Sequence, residues 1–136
     1  HDDELVEIGY YDLHPTDAGS RMMSWPGKVY QWHREGFDMP AGAELLARGD
    51  TYPNQAIRVG PAAYGIQFHP ELTYQMMVRW TTRAAPRMAL PGARQRRDHF
   101  AGRFAFDPAV KAWLDDFLDR WIGHADARPL AAEAAE

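Results

Sequence analysis

Apolar and polar positions in the first half of the chain alternate in short runs, with turn-forming residues every few positions. Leu5, Val6, Ile8, Tyr10, Tyr11 and Leu13 predict a strand over 5–13, interrupted by Glu7 and Gly9. Residues 14–20 form a turn-and-loop cluster in which Asp17 is placed to cap a short helical turn. After a turn at Trp25-Pro26-Gly27, residues 28–33 predict a strand with Val29 and Gln31 on one face and Tyr30 and Trp32 on the other. A turn at 39–43 leads to a short strand over 44–48, closed by Gly49-Asp50. Strands over 55–59 and 64–69 flank Gly60-Pro61, and Ile66 and Phe68 alternate with Gln67 in the second of them. Pro70 cannot donate to a ladder, so that strand should stop at about His69. Short strands joined by a few residues predict antiparallel pairing rather than repeated βαβ units.

From Leu72 the period changes. Leu72, Met76, Met77 and Trp80 recur at helical spacing, with Glu71 in the first turn and an end near Arg83, before Pro86. Residues 84–106 carry no regular period, being broken by Pro86, Pro91 and Gly92. Their group of Arg94, Arg96, Arg97 and Arg103 reads as a solvated loop. The last predicted helix begins with Asp107 as N-cap and Pro108 at the first helical position, and Gly123 follows its end. Its stripe is Val110, Trp113, Leu114, Phe117, Leu118 and Trp121, read as core together with Trp32 and Trp80. Residues 125–136, rich in Ala and Glu, read as a frayed tail or partly helical extension.

The length of 136 residues fits one domain, and 46% hydrophobic residues support a packed core. A net charge of −4 gives no reason to expect a nucleic-acid partner. No apolar run approaches the roughly 18 residues of a transmembrane helix. The start at His1-Asp2-Asp3-Glu4 is not a signal peptide, and a cytoplasmic location with no membrane partner is expected. There is no Cys, which excludes disulfides and Cys–His metal sites.

The chemistry concentrates at His69 and Glu71, which flank Pro70 between a strand and a helix. A His oriented by a carboxylate is the base-plus-orienter part of a nucleophilic triad. The strand's carboxyl end is also where open α/β sheets place ligand crevices. His33, His69 and Glu71 supply the donor types of a two-His-one-carboxylate site, but H-x-E at a strand end lacks the H-E-x-x-H spacing of one helix face. No metal is expected.

The stretch Gly65-Ile66-Gln67-Phe68-His69-Pro70-Glu71 resembles the C-terminal signature of class I glutamine amidotransferases. Val29-Tyr30-Gln31-Trp32-His33-Arg34-Glu35-Gly36-Phe37 resembles that family's (S/W)-H-G-(D/F) segment. Residues 45–57, ending in Asn54-Gln55-Ala56-Ile57, resemble the strand pair leading to the signature. The nearest subgroup is stand-alone proteins similar to the glutaminase domain of GMP synthase, and the resemblance covers roughly residues 5–122. It implies a three-layer α/β domain with a mixed central sheet, of which this chain supplies the β-rich C-terminal half and the final helices. It also implies glutamine amide hydrolysis by a Cys-His-Glu triad, with His69 as base and Glu71 as its orienter. Trp32, His33, Arg34 and Glu35 would bind substrate, largely through backbone groups that hold the α-amino and α-carboxylate ends of glutamine. Arg34 and Glu35 depart from the family's small Gly and its neighbour. No cofactor is implied. The implied partners are glutamine or a γ-glutamyl substrate and a protein or domain that accepts ammonia.

In that family the nucleophilic Cys lies on a G-x-C-x-G turn upstream of the segment that Leu5 onward resembles. The expectation is therefore that residues 1–124 are the C-terminal part of one such domain, followed by a tail over 125–136. The N-terminal part with the nucleophile is absent from this sequence, and the chain alone should be inactive. Two alternatives stay open: the same triad acting on another γ-glutamyl compound, and a non-catalytic binding module that kept the fold. A half-domain exposes sheet edges and apolar surface. Residues 1–136 expressed alone are thus expected to aggregate, swap or associate tightly, as size-exclusion chromatography with light scattering would show. A monomer with cooperative unfolding would instead identify a self-sufficient domain.

Overall fold

The computed structural model describes residues 5–126; the acidic start at 1–4 and residues 127–136 of the expected tail lie outside them. Strand β1 (Glu7–Asp12) is followed by the two-residue β2 (His14–Pro15), helix α1 (Asp17–Met22) and β3 (Lys28–His33). Then come β4 (Ala43–Arg48), β5 (Ala56–Val59), β6 (Ala63–Ile66), α2 (Tyr74–Arg83), a short 3₁₀ helix (Ala85–Ala89) and α3 (Arg96–Asp126). The strands form two sheets, β1-β3 and β2-β4-β5-β6, and every pairing among the described residues is antiparallel. The parallel pairings of a mixed sheet are not among them.

Alternation sorts the β1-β3 sheet into two faces. Register pairs Ile8 with Trp32 and Tyr10 with Tyr30 on one face, and Glu7 with His33 and Gly9 with Gln31 on the other. The first face carries a helical layer: Tyr10, Tyr30 and Met77 are buried there with Trp32, Trp80, Phe100 and Phe106 around them. The second face meets the larger sheet. Leu13, Val29, Leu46, Ala47, Ala56 and Phe68 form that core, closed by Val110, Trp113 and Phe117 of α3. Burying each of the larger side chains among them contributes about 1.5–3 kcal/mol.

Several predicted boundaries move. Thr16, not Asp17, caps α1: its Oγ1 accepts from the Gly19 N–H while its own N–H donates to the Leu46 carbonyl. Thr73 caps α2 by accepting from Met76, so Glu71 stands before the cap rather than in the first turn. The strand expected to reach His69 ends at Ile66. Phe68 turns into the core against Trp113, and the chain crosses to the other sheet, where His69 N–H donates to the Tyr30 carbonyl at 2.9 Å.

The largest correction concerns 84–126. Asp107 and Pro108 do not start a helix, and Gly123 does not follow its end; α3 runs continuously through all three. Asp107 is unavailable as a cap because its carboxylate accepts from the Tyr10 hydroxyl and pairs with Arg103 Nη1 at 2.7 Å. Pro108 leaves the carbonyl four residues earlier without a helical partner. That residue, Phe104, is 85% exposed, on the solvent side of α3. The predicted stripe holds at Val110, Trp113 and Phe117, but Trp121 is 39% exposed, with its Nε1 donating to the Ala62 carbonyl.

At Gly102 α3 packs tightly against Tyr10 of β1. A Cβ there would stand 2.8 Å from Tyr10 Cε2 and closer still to Cδ2, whereas one at Gly123 would meet nothing within 4 Å. Ala exceeds Gly in helix propensity by about 1 kcal/mol, but forcing a methyl into a packed site costs about 1–3 kcal/mol. Gly102→Ala is therefore expected to lower the urea midpoint and Gly123→Ala to raise it, as equilibrium unfolding of the two variants would show.

Candidate active site

His69 and Glu71 lie in the connection between β6 and α2, fixed at one end by the bond to Tyr30 and at the other by the Thr73 cap. Pro70 holds the φ of the residue between them. His69 Nδ1 is 2.8 Å from Glu71 Oε1, and the two side chains are 30% and 54% exposed. A carboxylate only accepts, so Nδ1 donates, and in the neutral ring that tautomer leaves a lone pair on Nε2. The Trp80 ring stands edge-on behind the imidazole, with centroids 4.9 Å apart. The pair opens onto a groove of about 530 Å³ whose walls include Tyr10, Tyr30, Leu72, Arg103, Phe104 and Leu114. Burial, and then the hydrogen bond to Asp107, push the Tyr10 hydroxyl far above its ordinary pKa, so it enters this groove as a neutral donor already engaged.

Trp32, His33, Arg34 and Glu35 line a second cleft, of about 470 Å³, with Ile8, Gln67, Arg87 and Leu90 among its other walls. The two openings are neighbours. Gln67 Nε2 donates to the Glu35 carbonyl at 3.2 Å, and the Trp80 ring lies against both Trp32 and His69. Arg34 and Glu35 are 78% and 82% exposed and 3.9 Å apart, too far for a strong pair.

The His33 side chain is used for structure, while its backbone stays at the cleft. Its imidazole is only 10% exposed and turns inward, with Nε2 3.1 Å from Oε2 of Glu7 and Nδ1 3.0 Å from the Glu35 carbonyl. The approach to Glu7 is close but off-line, so it is not a directed hydrogen bond. Glu7 is 1% exposed and also accepts from Gln55 Nε2 at 3.2 Å, while Gln55 Oε1 accepts from Gln31 at 2.6 Å. The Tyr52 hydroxyl lies within hydrogen-bond distance of the Leu5 and Arg34 carbonyls, and burial raises its pKa. Sequence reasoning missed this network. The available signal was Glu7, a charged residue at an inward position of an otherwise apolar strand.

Of the Arg group, Arg94, Arg96 and Arg97 are exposed as expected, but Arg96, Arg97 and Arg103 lie in α3 rather than in a loop. Arg103 pairs with Asp107, Arg94 lies over the Tyr11 ring and Arg96 over the Phe100 ring. Among the described residues no group of three or more His, Asp or Glu is gathered as a metal site, and no helix is long and apolar enough to cross a membrane.

The inward His33 gives a stability test. His33→Ala removes the ring packed against the buried Glu7 carboxyl and the bond that anchors the Glu35 carbonyl, and losing such a partner in a buried polar network costs about 1–3 kcal/mol. Arg34→Ala is a surface change, expected within about 0.5 kcal/mol of the parent. Chemical denaturation of both should show the loss in the first alone.

No family profile matches the chain. In sequence it is 32% identical to the glutamine amidotransferase-like protein YfeJ of Salmonella typhimurium, over 51% of this chain and 31% of that protein. It is 31% identical to a glutamine-hydrolyzing GMP synthase subunit of Thermococcus kodakarensis, over 52% of this chain and 40% of the relative. In structure it aligns with a glutamine amido transferase from Methylobacillus flagellatus at TM-score 0.79 and 19% identity, over 98% of this chain and 58% of that one. A glutamine amidotransferase from Thermotoga maritima aligns at TM-score 0.72 and 25% identity, over 88% and 52%. The matches thus span under half of the curated relatives and just over half of the solved structures. By sequence this chain is similar to glutamine amidotransferases, and its fold is that of a class I glutamine amidotransferase domain over the part it covers.

Proposed function

We propose that the chain carries the base and orienter of a glutamine amidotransferase site and acts as part of a larger domain whose thiol nucleophile lies outside residues 1–136. The observation that carries this reading is the His69–Glu71 pair, 2.8 Å apart, with Nε2 making no hydrogen bond among the described residues. The absence of Cys requires the nucleophile to come from elsewhere.

In the reaction, His69 Nε2 takes the thiol proton as sulfur bonds to the δ-carbon of glutamine. The same proton passes to the departing nitrogen as the C–N bond breaks, releasing ammonia and leaving a γ-glutamyl thioester. His69 then takes a proton from water, whose oxygen displaces sulfur, and returns that proton to the thiolate. Glu71 accepts from Nδ1–H throughout and stabilises the imidazolium. The cleft at Trp32–Glu35 would receive the α-amino and α-carboxylate ends, its backbone held by His33, Tyr52 and Gln67. Ammonia would pass to an accepting partner; no cofactor enters the cycle.

One observation favours a second reading. Arg34 and Arg87 both border the substrate-side cleft, which suits a γ-glutamyl compound carrying a further carboxylate. Assaying the full-length protein on glutamine and on γ-glutamyl amides separates the two. Turnover of glutamine is expected, and turnover of the amides alone would overturn the amidotransferase reading in favour of the second. His69→Ala should lower kcat by roughly 10²–10⁴-fold with little change in unfolding midpoint. Retained turnover would remove His69 from its role, and a folded full-length protein with no turnover of either substrate would leave a binding module.

A further inference from the structure

The general base of the proposed site is held by an element outside both clefts. His99 is wholly buried in the first turns of α3, and each of its ring nitrogens has a partner. Nε2 is 3.1 Å from the Arg94 carbonyl and Nδ1 is 2.8 Å from the Tyr30 hydroxyl. A carbonyl only accepts, so the proton sits on Nε2 and Nδ1 accepts from Tyr30. Burial, the largest effect on this ring, pushes its pKa below the ordinary histidine value and so favours the neutral ring, whose tautomer the two hydrogen bonds select.

The arrangement depends on Gly9. The Arg94 N–H donates to the Ile8 carbonyl at 2.8 Å, which draws the 91–94 segment along the edge of β1. Gly9 has φ +120°, and a Cβ there would stand 2.6 Å from Arg94 Cγ. Without a side chain at Gly9, the Arg94 backbone reaches the position from which its carbonyl fixes His99.

From His99 the constraint passes to His69 by two routes. Tyr30 supplies the carbonyl that holds the His69 N–H, and is itself 1% exposed. The Tyr30 ring also packs with Trp32 and Trp80, and Trp80 backs the His69 imidazole. His99 meets the rings of both Tyr30 and Trp32 near edge-on. Rotation of Tyr30 would release Trp80, and with it the wall that keeps Nδ1 of His69 turned to Glu71.

We propose that His99 is a positioning residue for His69: by accepting from the Tyr30 hydroxyl it locks the Tyr30–Trp32–Trp80 cluster that sets the orientation of the His69 ring. This rests on the reading of His69 as the base. Tyr30→Phe deletes one hydroxyl and keeps the ring, His99→Leu deletes both polar contacts, and His99→Gln retains one donor and one acceptor. Each is made in the full-length protein.

Two readouts apply. Nitrogen-15 imidazole NMR reports the His69 tautomer without any need for turnover. The parent should show Nδ1–H alone, Tyr30→Phe and His99→Leu a mixture of tautomers, and His99→Gln the parent pattern. In the glutamine assay the first two variants should lose about 10–100-fold in kcat, with KM within about twofold of the parent. An unchanged His69 pattern in Tyr30→Phe overturns the proposal, even if His99→Leu fails to fold. So does a KM increase at constant kcat. A parent protein that shows the single tautomer but hydrolyses nothing would instead defeat the amidotransferase reading and leave the positioning relation standing.

Discussion

A carboxyl group enclosed between two sheets leaves little freedom in how those sheets meet. Glu7 projects from β1 toward the larger sheet, accepts from Gln55 of the segment before β5, and lies against His33 Nε2 at the end of β3. Gln31 extends the set through Gln55. An unpaired polar group in such a place costs about 1–3 kcal/mol or more, so any sliding of one sheet over the other is opposed by a penalty that apolar packing alone would not impose. The same network fixes the end of β3, because His33 Nδ1 meets the Glu35 carbonyl and the Tyr52 hydroxyl meets that of Arg34. The backbone proposed to receive the ends of the substrate is thereby tied to the core.

The second constraint is the crossing at Phe68 and His69. Phe68 inserts between the sheets and α3 while the next residue bonds to Tyr30. One short segment thus leaves the larger sheet, pins it to β3 and delivers a His–Glu pair to the surface. Pro70 and the Thr73 cap restrict the backbone between this crossing and α2. An imidazole held by a backbone bond, an aromatic wall and a carboxylate would need little rearrangement to serve as the proposed base, which is how preorganised sites reduce the cost of reaching a reactive geometry.

Helix α3 connects these two regions. Its first half carries His99, Gly102 and Phe106 to the aromatic face of β1-β3, and its second half lays Val110, Trp113 and Phe117 on the other core. The Tyr10–Asp107–Arg103 contact lies at the join, where Pro108 would otherwise break the helix. Tertiary contacts there override a local stop signal, which is why a helix start at Asp107 is the natural reading of the sequence and not the observed one.

Local pattern is enough to specify the strands with period two, the antiparallel pairing implied by short connections, and a helix that ends at Arg83, though it starts that helix two residues early, at Leu72. It also specifies the apolar stripe at Val110, Trp113 and Phe117. These depend on alternation, turn residues and helical spacing within a few positions of each other. His69 and Glu71 are legible for the same reason, because two residues separated by Pro at a strand-to-helix junction are neighbours whatever the rest of the chain does. Long-range packing, by contrast, turns His33 inward to Glu7, binds Asp107 to Tyr10 instead of leaving it to cap a helix, and ends the strand before Phe68. Each of these depends on groups distant in sequence: Glu7 and His33 meet across a strand pair, and Tyr10 and Asp107 lie 97 positions apart. Periodicity records which face a residue occupies. The partner a buried polar group finds there depends on which other segments reach the same place, and packing alone sets that.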